Sequence, residues 1–235
     1  MDSAPAEIRE FLRNHSLTNV RGIIRYAAEK NDVDVLKWLH GHIPGGVTAA
    51  DCRSENNCAL RMAAHFGHVG VLNWLHQRIP GGVTAEDCRS ENNYALRMAA
   101  CYGHVAVLNW LHQRIPGGVT AEDCRAGNNY ALRWAAYFGH VAVLEWLHRH
   151  IPGGVTAEDC RAGDNYALQW AAENRHVDAL EWLATKLTFA EFAKYKYENV
   201  WLQVRRKSML MLMVAGKRKK VRLPPELWDL VEQWY

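Results

Sequence analysis

The stretch Asn93-Tyr94-Ala95-Leu96-Arg97-Met98-Ala99-Ala100-Cys101-Tyr102-Gly103-His104-Val105-Ala106-Val107-Leu108-Asn109-Trp110-Leu111-His112-Gln113-Arg114-Ile115-Pro116 holds two helical periods back to back. Ala95, Leu96, Ala99 and Ala100 fall on one face at helical spacing, and Asn93 stands where a side chain would cap the first backbone N–H groups. Gly103 is placed to end that helix in a left-handed conformation that costs other residues strain. Val105, Leu108, Leu111 and Ile115 form a second apolar stripe, widened by Val107 and Trp110, until Pro116-Gly117-Gly118 stops it. The prediction is a pair of short antiparallel helices, the first presenting mostly methyl groups to its neighbours.

The same layout recurs along the chain. Ile-Pro-Gly-Gly begins at Ile43, Ile79, Ile115 and Ile151, and Ala-Ala begins at Ala27, Ala63, Ala99, Ala135 and Ala171, both with a period of 36. Gly45–Pro80 and Gly81–Pro116 differ only at positions 50/86, 58/94, 65/101, 66/102 and 70/106, which reads as recent duplication. No such pair can bury its stripe alone, so the units must stack into a solenoid, and the small alanines permit close approach. Thr84-Ala85-Glu86-Asp87, with counterparts at Thr48, Thr120 and Thr156, has the threonine-plus-acid spacing of a capped helix start and predicts an extra helical turn between units. The expectation is an all-α repeat array over residues 1–184, with five helix pairs at about 20–44, 45–80, 81–116, 117–152 and 153–184. A helical extension over 185–235 follows. The first unit, with Asn31-Asp32 in place of Gly-His, and the fifth, with Glu173-Asn174-Arg175, read as polar end units.

Composition fits this reading. With 49% hydrophobic and 23% charged residues in 235, the chain is globular in class. The net charge of +3 conceals an asymmetry: residues 1–184 hold 17 Lys and Arg against 20 Asp and Glu, a balance of −3, and the rest hold 11 against 5, or +6. Met1–Glu10 carries Asp2, Glu7 and Glu10 and lacks the layout of an export signal. The apolar run Met209–Ala215 is far shorter than the roughly 20 residues that cross a bilayer. Cys52, Cys88, Cys124 and Cys160 share the repeat period; stacked equivalents lie about 8–10 Å apart, too far for a disulfide, so reduced thiols in an intracellular, cytoplasmic setting are expected.

The segment from Ala95 through Gly103-His104 to Leu111 resembles the ankyrin signature, and the likeness spans Val20 to about Ala184. The repeats are similar to arrays found in protists and large DNA viruses. They depart from the family pattern in having Tyr94-Ala95 for Thr-Pro, Arg97 for a histidine, and a connector three residues longer. The resemblance implies a non-enzymatic, monomeric module that binds a protein target, with no cofactor and no membrane partner. No P-loop, nucleophile elbow, dinucleotide fingerprint or metalloprotease motif appears, and an array repeats each group where catalysis needs different groups to converge.

By the same resemblance the ladder His68, His104, His140 and His176 hydrogen-bonds between repeats. His40, His76, His112 and His148 end the second helices, where a partial positive charge suits the helix dipole. The pair before Gly-His reads His65-Phe66, Cys101-Tyr102, Tyr137-Phe138 and Glu173-Asn174, and the family uses this pair for target contact. Aromatic residues there suit an interface. His65, Cys101, Tyr137 and Glu173 are expected to be the exposed specificity positions, while Phe66, Tyr102 and Phe138 either join them or pack between repeats. Tyr94 with Arg97, like Tyr130 with Arg133, forms a second candidate row, either partner-binding or structural. Trp74, Trp110, Trp146 and Trp182 are assigned to the core.

Past Ala184 the period fails, and Thr188-Phe189-Ala190-Glu191 opens a different helix whose Phe189, Phe192 and Trp201 would cover the last repeat. Arg205, Arg206, Lys217, Arg218, Lys219 and Lys220 have the spacing of a bipartite nuclear import signal. With Arg222 they could also meet nucleic-acid phosphates, a third and less favoured partner class, since nothing nearby reads bases. Leu223-Pro224-Pro225-Glu226-Leu227 and the following Leu230 and Val231 resemble the opening of an F-box. That resemblance implies a ubiquitin-ligase adaptor docking on Leu223, Pro224, Leu227, Leu230 and Val231; the alternative is a helix that caps the solenoid.

Overall fold

The computed structural model describes residue 9 and residues 20–78, 81–114, 117 and 119–214, with side chains to 206. Thirteen helices and no strand occur among them: α1 (Val20–Lys30), α2 (Val33–His42), α3 (Ala49–Cys52), α4 (Ser54–Phe66), α5 (Val69–Arg78), α6 (Ala85–Cys101), α7 (Val105–Arg114), α8 (Ala121–Tyr137), α9 (Val141–His150), α10 (Ala157–Glu173), α11 (Val177–Ala184), α12 (Phe189–Lys194) and α13 (Glu198–Val214). The first helices α1, α4, α6, α8 and α10 form one layer and the second helices α2, α5, α7, α9 and α11 the other. Each first helix packs intimately on the next because Ala27, Ala63, Ala99, Ala135 and Ala171 are wholly buried at the contact. The second helices, spaced by Trp74, Trp110, Trp146 and Trp182, touch their neighbours less, so the stack bends toward the first-helix side.

The connector is a helical turn, as its sequence predicts. Thr48, Thr84, Thr120 and Thr156 each cap it, with a hydroxyl accepting from the N–H of the acid three residues on and that acid accepting in return. The acid also reaches back across the repeat boundary. Arg53 donates through Nε and Nη2 to Asp87 at 2.8 and 3.0 Å, Arg89 to Asp123 at 2.9 and 2.8 Å, and Arg125 to Asp159 at 2.7 and 3.1 Å. One carboxylate thus caps its own helix and clamps the preceding unit, in the planar two-bond geometry that guanidinium favours.

Between the connector and the first helix proper the chain departs from expectation. Asn93 is no N-cap, since Glu91, Asn92 and Asn93 are all left-handed, at φ of 51°, 56° and 58°. A cap needs extended backbone, and here a short left-handed turn takes its place. Glu55-Asn56-Asn57, Gly127-Asn128-Asn129 and Gly163-Asp164-Asn165 repeat it. Each left-handed residue with a side chain costs about 1–2 kcal/mol, with asparagine the most tolerant. An arginine from the helix that follows offsets this: Arg97 donates through Nε to the Asn92 carbonyl at 2.8 Å and through Nη2 to that of Glu91 at 3.1 Å. Arg61 and Arg133 do the same in their units.

The histidines at the ends of the second helices also play another part than expected. The Nδ1 atoms of His40, His76 and His148 accept the N–H groups of Val47, Val83 and Val155 at 3.0, 3.0 and 2.9 Å. These three rings latch the following loop through an accepting nitrogen, while Nδ1 of His112 faces the Val119 carbonyl at 3.2 Å.

The extension closes the stack by imitating a repeat. Thr188 and Glu191 form the same capping box, and Arg161 donates to Glu191 as the earlier arginines do to their aspartates, at 2.8 Å through Nε. Fully buried Phe192 follows Glu191 as buried Cys160 follows Asp159. Tyr197 and Trp201 then tie α13 down, through hydrogen bonds to the carbonyls of Ala172 and Leu187 at 2.7 and 3.0 Å.

Candidate functional site

The first-helix face carries the positions at which the units differ. Three of the five differences between the two near-identical segments, 58/94, 65/101 and 66/102, lie on it. In the second to fifth units they share a stripe at i, i+4, i+7 and i+8: Cys58-Met62-His65-Phe66, Tyr94-Met98-Cys101-Tyr102, Tyr130-Trp134-Tyr137-Phe138 and Tyr166-Trp170-Glu173-Asn174. The stripe turns aromatic toward the fourth and fifth units.

There the rings form one patch. Trp134 lies 5.5 Å from Tyr130, 5.1 Å from Tyr137, 5.8 Å from Phe138 and 5.5 Å from Trp170, centroid to centroid. Trp170 stacks parallel on Tyr166 at 4.8 Å and meets Tyr137 edge-on at 5.6 Å. Tyr102 continues the row by stacking on Phe138 at 6.3 Å, and His65 sits 4.5 Å from both Phe66 and Tyr102. These rings pack on each other yet stay accessible, which suits an interface.

Within the pairs preceding Gly-His, the second members are exposed and, of the four first members, Cys101 departs from expectation by being buried. Phe66, Tyr102 and Phe138 are 41%, 46% and 39% exposed, whereas Cys101 is 5% exposed. Cys101 closes its helix tucked against the next unit, so its side chain is no surface determinant; burial pushes its thiol up to about 11. His65 and Tyr137 are half-buried, and Glu173 is exposed with its carboxylate accepting from Gln169. Burial, and secondarily the neighbouring His104, lowers the His65 imidazole below its ordinary value.

Arginines alternate with tyrosines across the units. Arg97 lies 5.9 Å from the Tyr94 ring of its own helix but 4.7 Å from Tyr130 of the next, and Arg61 lies 5.1 Å from Tyr94. Arg133 covers Tyr166 at 5.5 Å and Trp170 at 5.7 Å. The closer pairing is between units, so each guanidinium both secures a turn and lies beside the neighbour's ring. Trp134, Tyr166 and Trp170 were absent from the expected set. The available signal was the residue before Ala-Ala, which reads Met62, Met98, Trp134 and Trp170.

The histidine ladder is structural where its bonds are described: Nε2 of His68 and His104 meet the carbonyls of Glu29 and His65 at 3.1 and 3.0 Å. Trp74, Trp110, Trp146 and Trp182 are core. Cys52, Cys88, Cys124 and Cys160 are free thiols pushed by burial to about 12, which keeps them protonated. Among the described residues no three His, Cys, Asp or Glu side chains converge as metal ligands, and no helix is long and apolar enough to cross a membrane. Arg205 and Arg206 lie on α13, with Arg205 over the Trp201 ring at 5.1 Å. Lys217, Arg218, Lys219, Lys220, Leu223, Pro224, Leu227, Leu230 and Val231 lie outside the described residues.

No curated protein matches the chain. Residues 96–194 match a family model of ankyrin repeats in three copies and residues 24–76 a model of ankyrin repeats in many copies. Repeats of this kind are in general protein-binding modules and typically not enzymes. With both models placed on the stacked helix pairs, the chain belongs to the ankyrin-repeat family.

Proposed function

We infer that the chain binds a protein partner through the first-helix face of its third to fifth units. The observation that carries this reading is the joined ring patch of Tyr130, Trp134, Tyr137, Phe138, Tyr166 and Trp170 on a rigid scaffold, since tryptophan and tyrosine dominate binding hot spots. Tyr102 and Phe66 extend the contact, with His65, Tyr94 and Arg97 at its edge. The free buried thiols support an intracellular setting.

Affinity capture from the native cell with quantitative mass spectrometry tests this. A full chain carrying Trp134→Ala and Trp170→Ala should lose its partners, while Gln113→Ala on a second helix keeps them, with melting by circular dichroism confirming that both fold. Retention by the tryptophan variant refutes the reading. The same experiment with Leu223→Ala and Leu227→Ala addresses the ligase-adaptor reading: ligase subunits that vanish while other partners stay would support it.

A further inference from the structure

Two rows run side by side along the first-helix face. One is Arg61, Arg97 and Arg133, one guanidinium in each of the second, third and fourth units with Gln169 at the place in the fifth, each guanidinium held by two backbone carbonyls and none in an ion pair among the described residues. The other is the ring row, from Phe66 and Tyr102 to the patch at Trp134 and Trp170. The rows meet where Arg133 covers Tyr166 and Trp170. Fixed positive charge beside accessible aromatic area, repeated over the second to fourth units, is a periodic site.

The period selects a ligand shape. Packed helices stand about 8–10 Å apart. A polyproline II chain has three residues per turn and rises 3.1 Å per residue, so it repeats every ~9.3 Å with side chains on three faces. Laid along the stack, it sets one side chain of each triplet over the rings and the next toward the guanidinium, unit after unit. A β-strand, repeating every two residues at about 6.7 Å, falls out of step.

We propose that this face binds an extended acidic peptide segment with an apolar residue at every third position, anchored on the fourth and fifth units; this rests on the protein-binding reading above. The anchor lies there because Gly127 replaces the glutamate found at Glu55 and Glu91, leaving Arg133 without an acid on its own turn, and because all six rings of the patch are there. A single-stranded nucleic acid would also use arginine and rings, but it carries a charge on every nucleotide where this face offers one guanidinium in each of three units, so the oligonucleotide is set against the peptide in the test.

Fluorescence anisotropy on the full chain tests the proposal with a labelled peptide of four Leu-Pro-Glu units. Three controls accompany it: the same peptide with glutamine for glutamate, a shuffled peptide of the same composition, and an oligothymidine strand. The acidic triplet peptide should bind, weaken with salt, and exceed the glutamine and shuffled peptides by roughly tenfold, the worth of one good charge-assisted contact. In Arg133→Gln the preference for glutamate over glutamine should vanish while both peptides still bind measurably. Because the charge is varied on the ligand, a poorly folding variant cannot imitate this result. Equal affinity for the three peptides overturns the proposal, as does tighter binding of the oligonucleotide. Sedimentation showing self-association that Trp134→Ala abolishes also overturns it, by making a second copy the occupant. If partner capture still depends on Trp134 and Trp170 while the peptides show no preference, the binding face stands and this inference alone falls.

Discussion

The second and third units and the fourth and fifth share one scaffold and differ in what they display. Both halves bury the same alanines, the same tryptophan ladder and the same arginine–aspartate clamps. On the first-helix stripe, however, cysteine, methionine and histidine at Cys58, Met62 and His65 give way to Tyr130, Trp134 and Tyr137. The turn behind the stripe changes too, from Glu55 and Glu91 to Gly127 and Gly163. The buried contacts and the displayed stripe therefore sit on different residues, and the surface can diverge while the clamps between units are kept.

Breaking the scaffold should hurt both halves alike. Trp110→Ala and Trp146→Ala each remove a buried indole that donates to an asparagine of the preceding unit, Asn73 at 2.9 Å and Asn109 at 2.8 Å. Each should cost about 3–5 kcal/mol in urea unfolding. A large inequality between them would show that the halves are not one cooperative scaffold.

The clamps should fail together in acid. Burial raises the Asp159 carboxyl, but the Arg125 hydrogen bonds and the Thr156 backbone and hydroxyl donors outweigh it and hold the group at about 2. Asp87 and Asp123 are depressed by the same balance. A depressed folded value means that stability is present above the unfolded value near 3.8 and is lost as pH falls toward 2. For Asp159 the loss is on the order of 2 kcal/mol. Asp159→Asn should flatten part of the stability curve over that window, and an unchanged curve would remove the clamp from the account.

The turns offer a finer test because the chain holds both versions. Glu91→Gly should raise stability by about 1 kcal/mol by relieving a left-handed glutamate, and Gly127→Glu should lower it similarly. Equal melting temperatures for the two variants would mean that the arginine bonds, and not the residue type, set the turn. The smallest effect is at the first boundary. Trp74 Nε1 is buried without a partner, and Lys37, a donor only, stands where later units place Asn73 and Asn109. Lys37→Asn should supply the acceptor and add about 0.5–1 kcal/mol, read as a small rise in the urea midpoint.

Much of the scaffold was legible because burial and capping obey local rules. The alanine pairs, Gly103, the threonine–acid boxes and the tryptophan ladder all lie where their chemistry put them. Asn93 misled because an asparagine before a helix suits both a cap and a left-handed turn, and only the reach of Arg97 back to Glu91 and Asn92 decides between them. Cys101 and Tyr102 misled because neighbouring residues at a helix end diverge by about 100°, and a two-residue window cannot say which one meets the next unit. Trp134 and Trp170 were hidden within an otherwise constant Arg-x-Ala-Ala or Gln-x-Ala-Ala frame. The clamp from Arg161 to Glu191 escaped periodicity, since Glu191 follows Asp159 by 32 positions instead of 36.

That shortened last clamp bears on growth of the array. Each boundary is a heterologous contact, arginine forward and carboxylate back, and such contacts lead head to tail into open filaments unless something stops them. Glu191 consumes the final arginine, and Ala193 stands where a further unit would offer its own. At the other end Asp51 caps its own helix with Thr48 as the later aspartates do, and no arginine clamp reaches it among the described residues. Among the described residues, the helices α12 and α13 therefore present no arginine in the place from which a further unit would be clamped. Internal units can be duplicated, as the near-identity of the second and third suggests, while the Arg161–Glu191 contact keeps its place after the last repeat.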